Sequence, residues 1–385
     1  MDALIIERIL NMTMQLQQIP SPTFAERQRA EFICNYFQKI GKKDLTVDET
    51  GNVYIHIPGK REKPPLVVSA HLDTVFPPDT DLTCLRTEDR ISGPGIGDNS
   101  LGLAGLFGLY WYFSEEKATQ SNPASLEGDL WLVANVGEEG LGDLKGMQSV
   151  VNRFQGDPIA YVVLEGMSLG QIYTRGLGVR RYRIQVHTRG GHSWVDYGSP
   201  SAIDEIAALI IKIKNLHVPE EPRSSLNVGV IKGGTSVNTI AADAGLELDL
   251  RSENTQVLHQ MIEQVETLVK EANDKGGNTV QVSAEVIGDR PSGEIPMDHP
   301  LVKTAIECFA REGINVKLNI GSTDANVPLS RGYPAICMGL TTGGGSHTSG
   351  EYIETKPVAQ GFSILVDLVQ SIFKMTSGYK HKGIT

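Results

Sequence analysis

Cysteine is scarce in this sequence, and long apolar runs are missing. The four cysteines, Cys34, Cys84, Cys308 and Cys337, lie far apart and form no C-x-x-C pair. That speaks against a disulfide framework and predicts buried, reduced thiols. No apolar stretch approaches the roughly 20 residues of a membrane span. The opening "MDALIIERILNMTMQLQQIP" carries acidic residues early and has an amphipathic helical pattern. It lacks the basic start and small-residue cleavage site of a secretory signal. These absences predict a cytoplasmic protein with no membrane partner. Positive charge is also in deficit. Lys plus Arg is 35 against 46 Asp plus Glu, a net charge of −11. No surplus of base is available to neutralise phosphates, so no nucleic-acid partner is expected.

What is present is an ordinary globular balance, 40% hydrophobic and 21% charged. At 385 residues the chain exceeds one typical core, which predicts two domains. "SPTFAERQRAEFICNYFQKIG" reads as a helix, with Thr23 and Glu26 as a capping box and Gly41 past its last turn. "PPLVVSA" (64–70), "LWLVANV" and "IAYVVLEG" (159–166) read as buried strands. A glycine loop runs into a long apolar helix at "GIGDNSLGLAGLFGLYWYF", and "LGDLKGMQSVVNRF" is a further helix. Such alternation predicts an α/β domain with a doubly wound, mostly parallel sheet.

From about residue 174 the pattern changes. "VRRYRIQVH" places Tyr182, Ile184 and Val186 on one face and Arg181, Arg183 and Gln185 on the other. Through residue 290 the order reads β-α-β-β-α-β, the ferredoxin-like α+β unit. The predicted division is therefore 1–173 with 291–385, and an inserted domain at 174–290. After the insertion the first pattern resumes, with a helix near 300–312, strands at 314–320 and 335–340, and a final helix to about 375.

Ligands of open α/β sheets sit beyond the carboxyl ends of the strands. His71 and Asp73 follow "LVVSA". Asp98 lies in "GPGIGDNS", Glu138 and Glu139 follow "LWLVANV", Glu165 ends "YVVLE", and His347 lies in "TTGGGSHTSGE". Each has a bland reading. A lone histidine at a strand end is usually a hydrogen-bonding residue, and an acidic glycine loop is usually a solvated turn. Together, two histidines and several carboxylates at one end of separate apolar strands suit a borderline divalent metal such as zinc, cobalt or manganese. Asp73 could hold the second imidazole nitrogen of His71, as carboxylates near metal-binding histidines do.

At these residues the chain resembles the co-catalytic di-zinc exopeptidases and deacylases, a family that includes glutamate carboxypeptidase, peptidase T, aminoacylase, acetylornithine deacetylase and succinyl-diaminopimelate desuccinylase. "SAHLDTV", "GPGIGDN", "GEEGLG", "LEG" and "GGGSHTSGE" are similar to its metal motifs, in order. "GGHSWVDYGSPSAI", "GGTSVNTIA" and "LDLR" resemble the motifs of its inserted lid. The resemblance implies two divalent ions, zinc foremost. Asp98 would bridge them, with His71 and Glu165 completing one site and Glu139 and His347 the other. Glu138 would be the general base on the bridging water. His192, reaching in from a partner subunit, would stabilise the oxyanion. Arg251, Asn238 and the backbone around Gly344 would hold a substrate carboxylate. A homodimer through the lid is implied as well. This chain departs from many relatives at Asn99, Ser100 and Ala241.

Three readings follow. The first is hydrolysis of a small peptide or N-acyl amino acid beside a free carboxylate, which glutamate at 165 favours. The second is an aminopeptidase or tripeptidase. The third is a catalytically silent binding member. Arg251 has its own alternative, a strand-face ion pair with Asp249 or Glu247. A dinucleotide enzyme is discounted, because "GPGIGDNSLG" lacks the required glycine spacing directly after a strand.

Overall fold

A computed structural model describes residues 2–42, 44–115 and 126–375. The chain forms two compact units, Met1–Gly176 with Gly293–Thr385, and Leu177–Ser292.

In the first unit, four apolar strands run parallel. Their order across the sheet is Leu130–Asn135, Leu66–His71, Ala160–Glu165 and Ala335–Gly339. Nearly every residue in them is buried, as expected for strands covered on both faces. The strand first in the chain sits second in the sheet, so the winding reverses between Leu66–His71 and Ala160–Glu165. A crevice at such a reversal is the ligand position of doubly wound sheets. Outside this centre the pairing is mixed, and Lys317–Gly321 pairs in parallel with Gln171–Gly176. Val53–Ile57 joins one side antiparallel to Leu130–Asn135, and Gln171–Gly176 joins the other antiparallel to Ala335–Gly339. Beyond them lie Leu45–Val47 on the first side and Gly293–Glu294 on the second, both paired antiparallel.

Two helices precede the sheet. Asp2 caps Ala3–Gln17 by accepting the Leu4 N–H at 2.9 Å. The second helix spans Arg27–Lys39, and Gly41 follows it at φ +77°. The capping box expected at its start does not form. Glu26 accepts from the N–H groups of Phe24 (3.0 Å) and Gly137 (3.1 Å), and the Thr23 hydroxyl donates to Asp73 at 3.0 Å. Tertiary partners have taken both side chains from the helix end.

The second unit runs Gly178–Thr188, Ala202–Lys214, Ser224–Gly233, Asp243–Ser252, Thr255–Gly276 and Val280–Arg290, in β-α-β-β-α-β order. The sheet order is Ser224–Gly233, Asp243–Ser252, Gly178–Thr188, Val280–Arg290, with every pairing antiparallel. That is the ferredoxin-like arrangement. Tyr182, Ile184 and Val186 pack with Leu246, Leu248 and Leu250 against Ile206, Leu209 and Val265 of the two helices. The opposite face is polar. There Arg181 pairs with Asp249 at 2.9 Å and Arg183 with Glu247 at 3.1 Å.

Candidate metal and catalytic site

The parallel strands deliver their ends to one place. His71 closes its strand and is buried. Its Nε2 lies 3.1 Å from Asp98 Oδ1 and 3.7 Å from Glu165 Oε2. Its Nδ1 lies 3.0 Å from the Asp73 carbonyl oxygen and 3.5 Å from Asp73 Oδ1. The second oxygen of Asp98 lies 3.1 Å from His347 Nε2, and that nitrogen is 3.2 Å from Glu139 Oε1. Asp98 thus stands between two histidines, one oxygen toward each. Three sets of ligand atoms lie within 4.8 Å of one another: His71, Asp98 and Glu165; Asp98, Glu139 and His347; and His71, Glu138 and Glu139. The Asp98–Asn99 peptide bond is cis.

The paired glutamates are held by their backbone. Asp73 is fully buried; its Oδ1 accepts the Glu138 N–H at 3.0 Å and its Oδ2 accepts the Glu139 N–H at 2.8 Å. With Glu26 on Gly137, three successive N–H groups of this turn end on two buried carboxylates. Charge-assisted bonds of this kind fix the turn firmly. Asp73 therefore orients the glutamate turn as well as facing His71.

Close backbone approach explains the glycine of "LEG". A Cβ on Gly166 would lie 2.0 Å from the Gly97 carbonyl oxygen, in the loop that carries Asp98. Glycine is required there so that Glu165 and Asp98 can come together.

The electrostatics follow from crowding. Burial pushes the Glu165 carboxyl up to about 7, with Asp98 and Asp324 adding to the rise and His71 opposing it. His347 is pushed up to about 10 by Asp98 and Glu139. Burial alone would depress His71, yet Asp73, Asp98 and Glu165 outweigh it and hold the ring well above its ordinary value. Asp98 is pulled down by the two histidines in spite of its burial.

Several residues here have no signature in the local sequence. Glu351 is fully buried, and its carboxylate accepts the N–H groups of Gly97 (2.7 Å), Asp98 (2.8 Å) and Gly95 (3.1 Å). It ties the loop bearing His347 to the loop bearing Asp98. Asn135, level with His71 in the next strand, donates to Asp324 at 2.7 Å. Arg29 donates to the Leu72 carbonyl at 2.8 Å and the Ile19 carbonyl at 3.0 Å. Burial pulls its guanidinium down to about 10, against the pull of Asp73.

The other sequence candidates lie elsewhere. Gly344 pairs with Tyr352 in a short ladder, and a Cβ there would lie 3.2 Å from the Tyr352 hydroxyl. His192, Asn238 and Arg251 belong to the second unit. Arg251 Nε donates to Asp249 at 2.7 Å, the strand-face pairing the sequence allowed. Among the described residues, no helix is long and apolar enough to cross a membrane.

The chain belongs to peptidase family M20/M25/M40, whose model matches residues 67–371. It is a hydrolase of that family. A probable carboxypeptidase of Aspergillus flavus is 25% identical over 277 residues, covering 63% of this chain and 63% of that protein. A tripeptidase structure from Staphylococcus aureus shares the fold at TM-score 0.77 and 20% identity, covering 96% of this chain and 99% of that one. A structure from Bacillus subtilis described as a dinuclear metal binding peptidase of the M20 family matches at TM-score 0.66 and 16% identity, covering 97% and 100%.

Proposed function

We propose that the protein hydrolyses a peptide or N-acyl amino acid amide bond beside a free carboxylate, with the help of two divalent ions. The observation that carries this reading is Asp98, set between His71 and His347 at 3.1 Å each, with Glu165 and Glu139 beside those histidines. The donors fit such ions. They are imidazole and carboxylate without thiolate, a set that zinc, cobalt and manganese all accept. Four carboxylates, Asp98, Glu138, Glu139 and Glu165, crowd one largely buried pocket, and that arrangement calls for added positive charge. His71 and Glu165 would hold one ion, Glu139 and His347 the other, and Asp98 both.

When bound, the ions would polarise the amide carbonyl and acidify water. Glu138 takes the proton of the attacking water and delivers it to the leaving amine nitrogen. His192 donates to the oxygen that gains charge. Arg251 holds the substrate carboxylate, helped by Asn238 and the backbone at Gly344; a guanidinium suits a carboxylate through paired N–H donors. The subunits pair through the inserted unit, where Ser224–Gly233 is an edge strand. The second reading is an aminopeptidase or tripeptidase, and the Staphylococcus aureus neighbour is named a tripeptidase.

The test uses metal-loaded protein and two matched substrate sets. One set holds N-acyl amino acids and dipeptides with a free carboxylate. The other holds peptides with a free amino end and an amidated C-terminus. Cleavage of the first set alone is expected; cleavage of the second alone would overturn the reading in favour of an aminopeptidase. Arg251→Ala should raise KM for carboxylate substrates by about 10- to 100-fold, the size of a lost charge-assisted bond. An equal effect on amidated substrates would count against the clamp.

Metal uptake has a further signature. The carboxylates around them, Asp98 foremost for His347 and Asp73, Asp98 and Glu165 against the burial of His71, raise the proton affinity of both histidines in the metal-free protein. A metal needs their lone pairs, so binding must expel protons, and affinity must rise with pH. Titration of metal-free protein in buffers of different ionisation enthalpy should reveal this release. Uptake of both ions without proton release would contradict the assignment of His71 and His347.

A further inference from the structure

The loop Gly190-Gly191-His192-Ser193-Trp194-Val195-Asp196 closes on itself. Asp196 Oδ2 accepts the His192 N–H at 2.7 Å, and the Asp196 N–H donates to the His192 carbonyl at 2.9 Å. A Cβ on Gly191 would lie 2.8 Å from that carboxylate oxygen, so glycine there makes room for it. At the base of the loop, Gly191 and His192 pair with Ile240 and Thr239, and the Ser193 N–H donates to the Asn238 carbonyl at 3.1 Å.

The imidazole is folded into the same turn. The N–H of Trp194 lies 3.2 Å from His192 Nδ1, and that of Val195 lies 3.4 Å from it. A backbone N–H can only donate. Nδ1 therefore has to present its lone pair, and in a neutral ring the proton then sits on Nε2.

We propose that the loop holds His192 as the neutral Nε2–H tautomer, with Asp196 as the positioning residue that keeps the turn closed. This rests on the reading of His192 as the oxyanion donor. It adds that the donor is set before substrate arrives. A fixed N–H that needs no reorientation stabilises developing charge at no cost at the moment of reaction. The opposite tautomer would offer only a lone pair to a negative oxygen.

The test is tautomer-resolved proton–nitrogen correlation NMR on the full-length, histidine-labelled protein in mildly alkaline solution. The His192 signals are identified by their loss in His192→Gln. The expected spectrum shows Nδ1 without a proton and Nε2 with one. Asp196→Ala should give mixed tautomers and lower kcat by roughly 10- to 100-fold, less than loss of a whole oxyanion donor. KM should change little. Asp196→Asn keeps an acceptor oxygen and should restore both the spectrum and kcat. A protonated Nδ1 in the unmodified protein, or an averaged pair of tautomers, overturns the proposal. So does an Asp196→Ala spectrum identical to that of the unmodified protein. If instead the tautomer is as expected but His192→Gln turns over at full rate, the loop assignment stands and the oxyanion role falls.

Discussion

Glu138→Gln is expected to lower kcat by about 10²–10⁴-fold, the range a positioned general base supplies, while the protein still takes up two metal ions. Glutamine matches the shape of glutamate and leaves the Glu138 N–H on Asp73 undisturbed. What disappears is the ability to take a proton. Glu139→Gln should behave differently. Glu139 Oε1 faces His347 Nε2 at 3.2 Å, within the group that includes Asp98. Weakening that carboxylate should reduce metal content first and turnover as a result. Metal analysis beside single-turnover rates separates the two. A Glu138→Gln protein stripped of metal would refute the division of labour between the adjacent glutamates.

The second large effect is expected at Glu351. Alanine there would orphan three N–H groups, those of Gly95 and Gly97 buried and that of Asp98 partly so. Each orphaned donor costs about 1–3 kcal/mol. Even with incomplete additivity, the loss is on the order of several kcal/mol, a large share of a typical domain's stability of about 5–15 kcal/mol. Chemical denaturation of the metal-free protein should show it. Metal affinity should fall as well, by roughly 10- to 100-fold, as when outer-shell supports of metal sites are removed. Glu351→Gln retains one acceptor oxygen and should lie between. Its residual binding keeps the test informative if the alanine variant folds poorly. Unchanged metal affinity in a folded Glu351 variant would mean that the Asp98 loop holds its place without the carboxylate.

These two residues mark what could be read from the chain alone. His71, Glu138, Glu139 and Glu165 follow apolar runs, and strand period and length identify such runs without any tertiary knowledge. Their convergence follows from the rule about strand ends. Glu351 was hidden because an acidic residue in a glycine–serine loop looks like a solvated turn. Its three partners lie more than 250 positions away. The same distance problem defeated the capping box. Thr23 and Glu26 have the right spacing for a helix start, but Asp73 and Gly137 compete for them from 50 and 111 positions on. The antiparallel strands flanking the parallel centre were invisible for a different reason. Pairing direction is set by connections, and a short, largely buried run such as Val53–Ile57 carries no mark of it. In the inserted unit, alternation was strong enough to give the faces of Gly178–Thr188 and Asp243–Ser252 directly.

The ligands reach the site from widely separated parts of the chain, with His347 beyond the whole of Leu177–Ser292. During synthesis from the N-terminus, His71, Asp98, Glu139 and Glu165 emerge early. The inserted unit is contiguous and has its own core, so it can form while the first unit still lacks Ala335–Gly339 of its central sheet and the histidine that follows it. Contacts so distant in sequence are slow to close, and domains of a growing chain tend to fold as units. Among the residues of the candidate metal site, His347 is therefore the last to be added. A chain arrested before residue 347 would carry His71, Asp98 and Glu165 but lack the histidine of the other set. The long detour leaves the candidate metal site incomplete until segments on both sides of the inserted unit have been made.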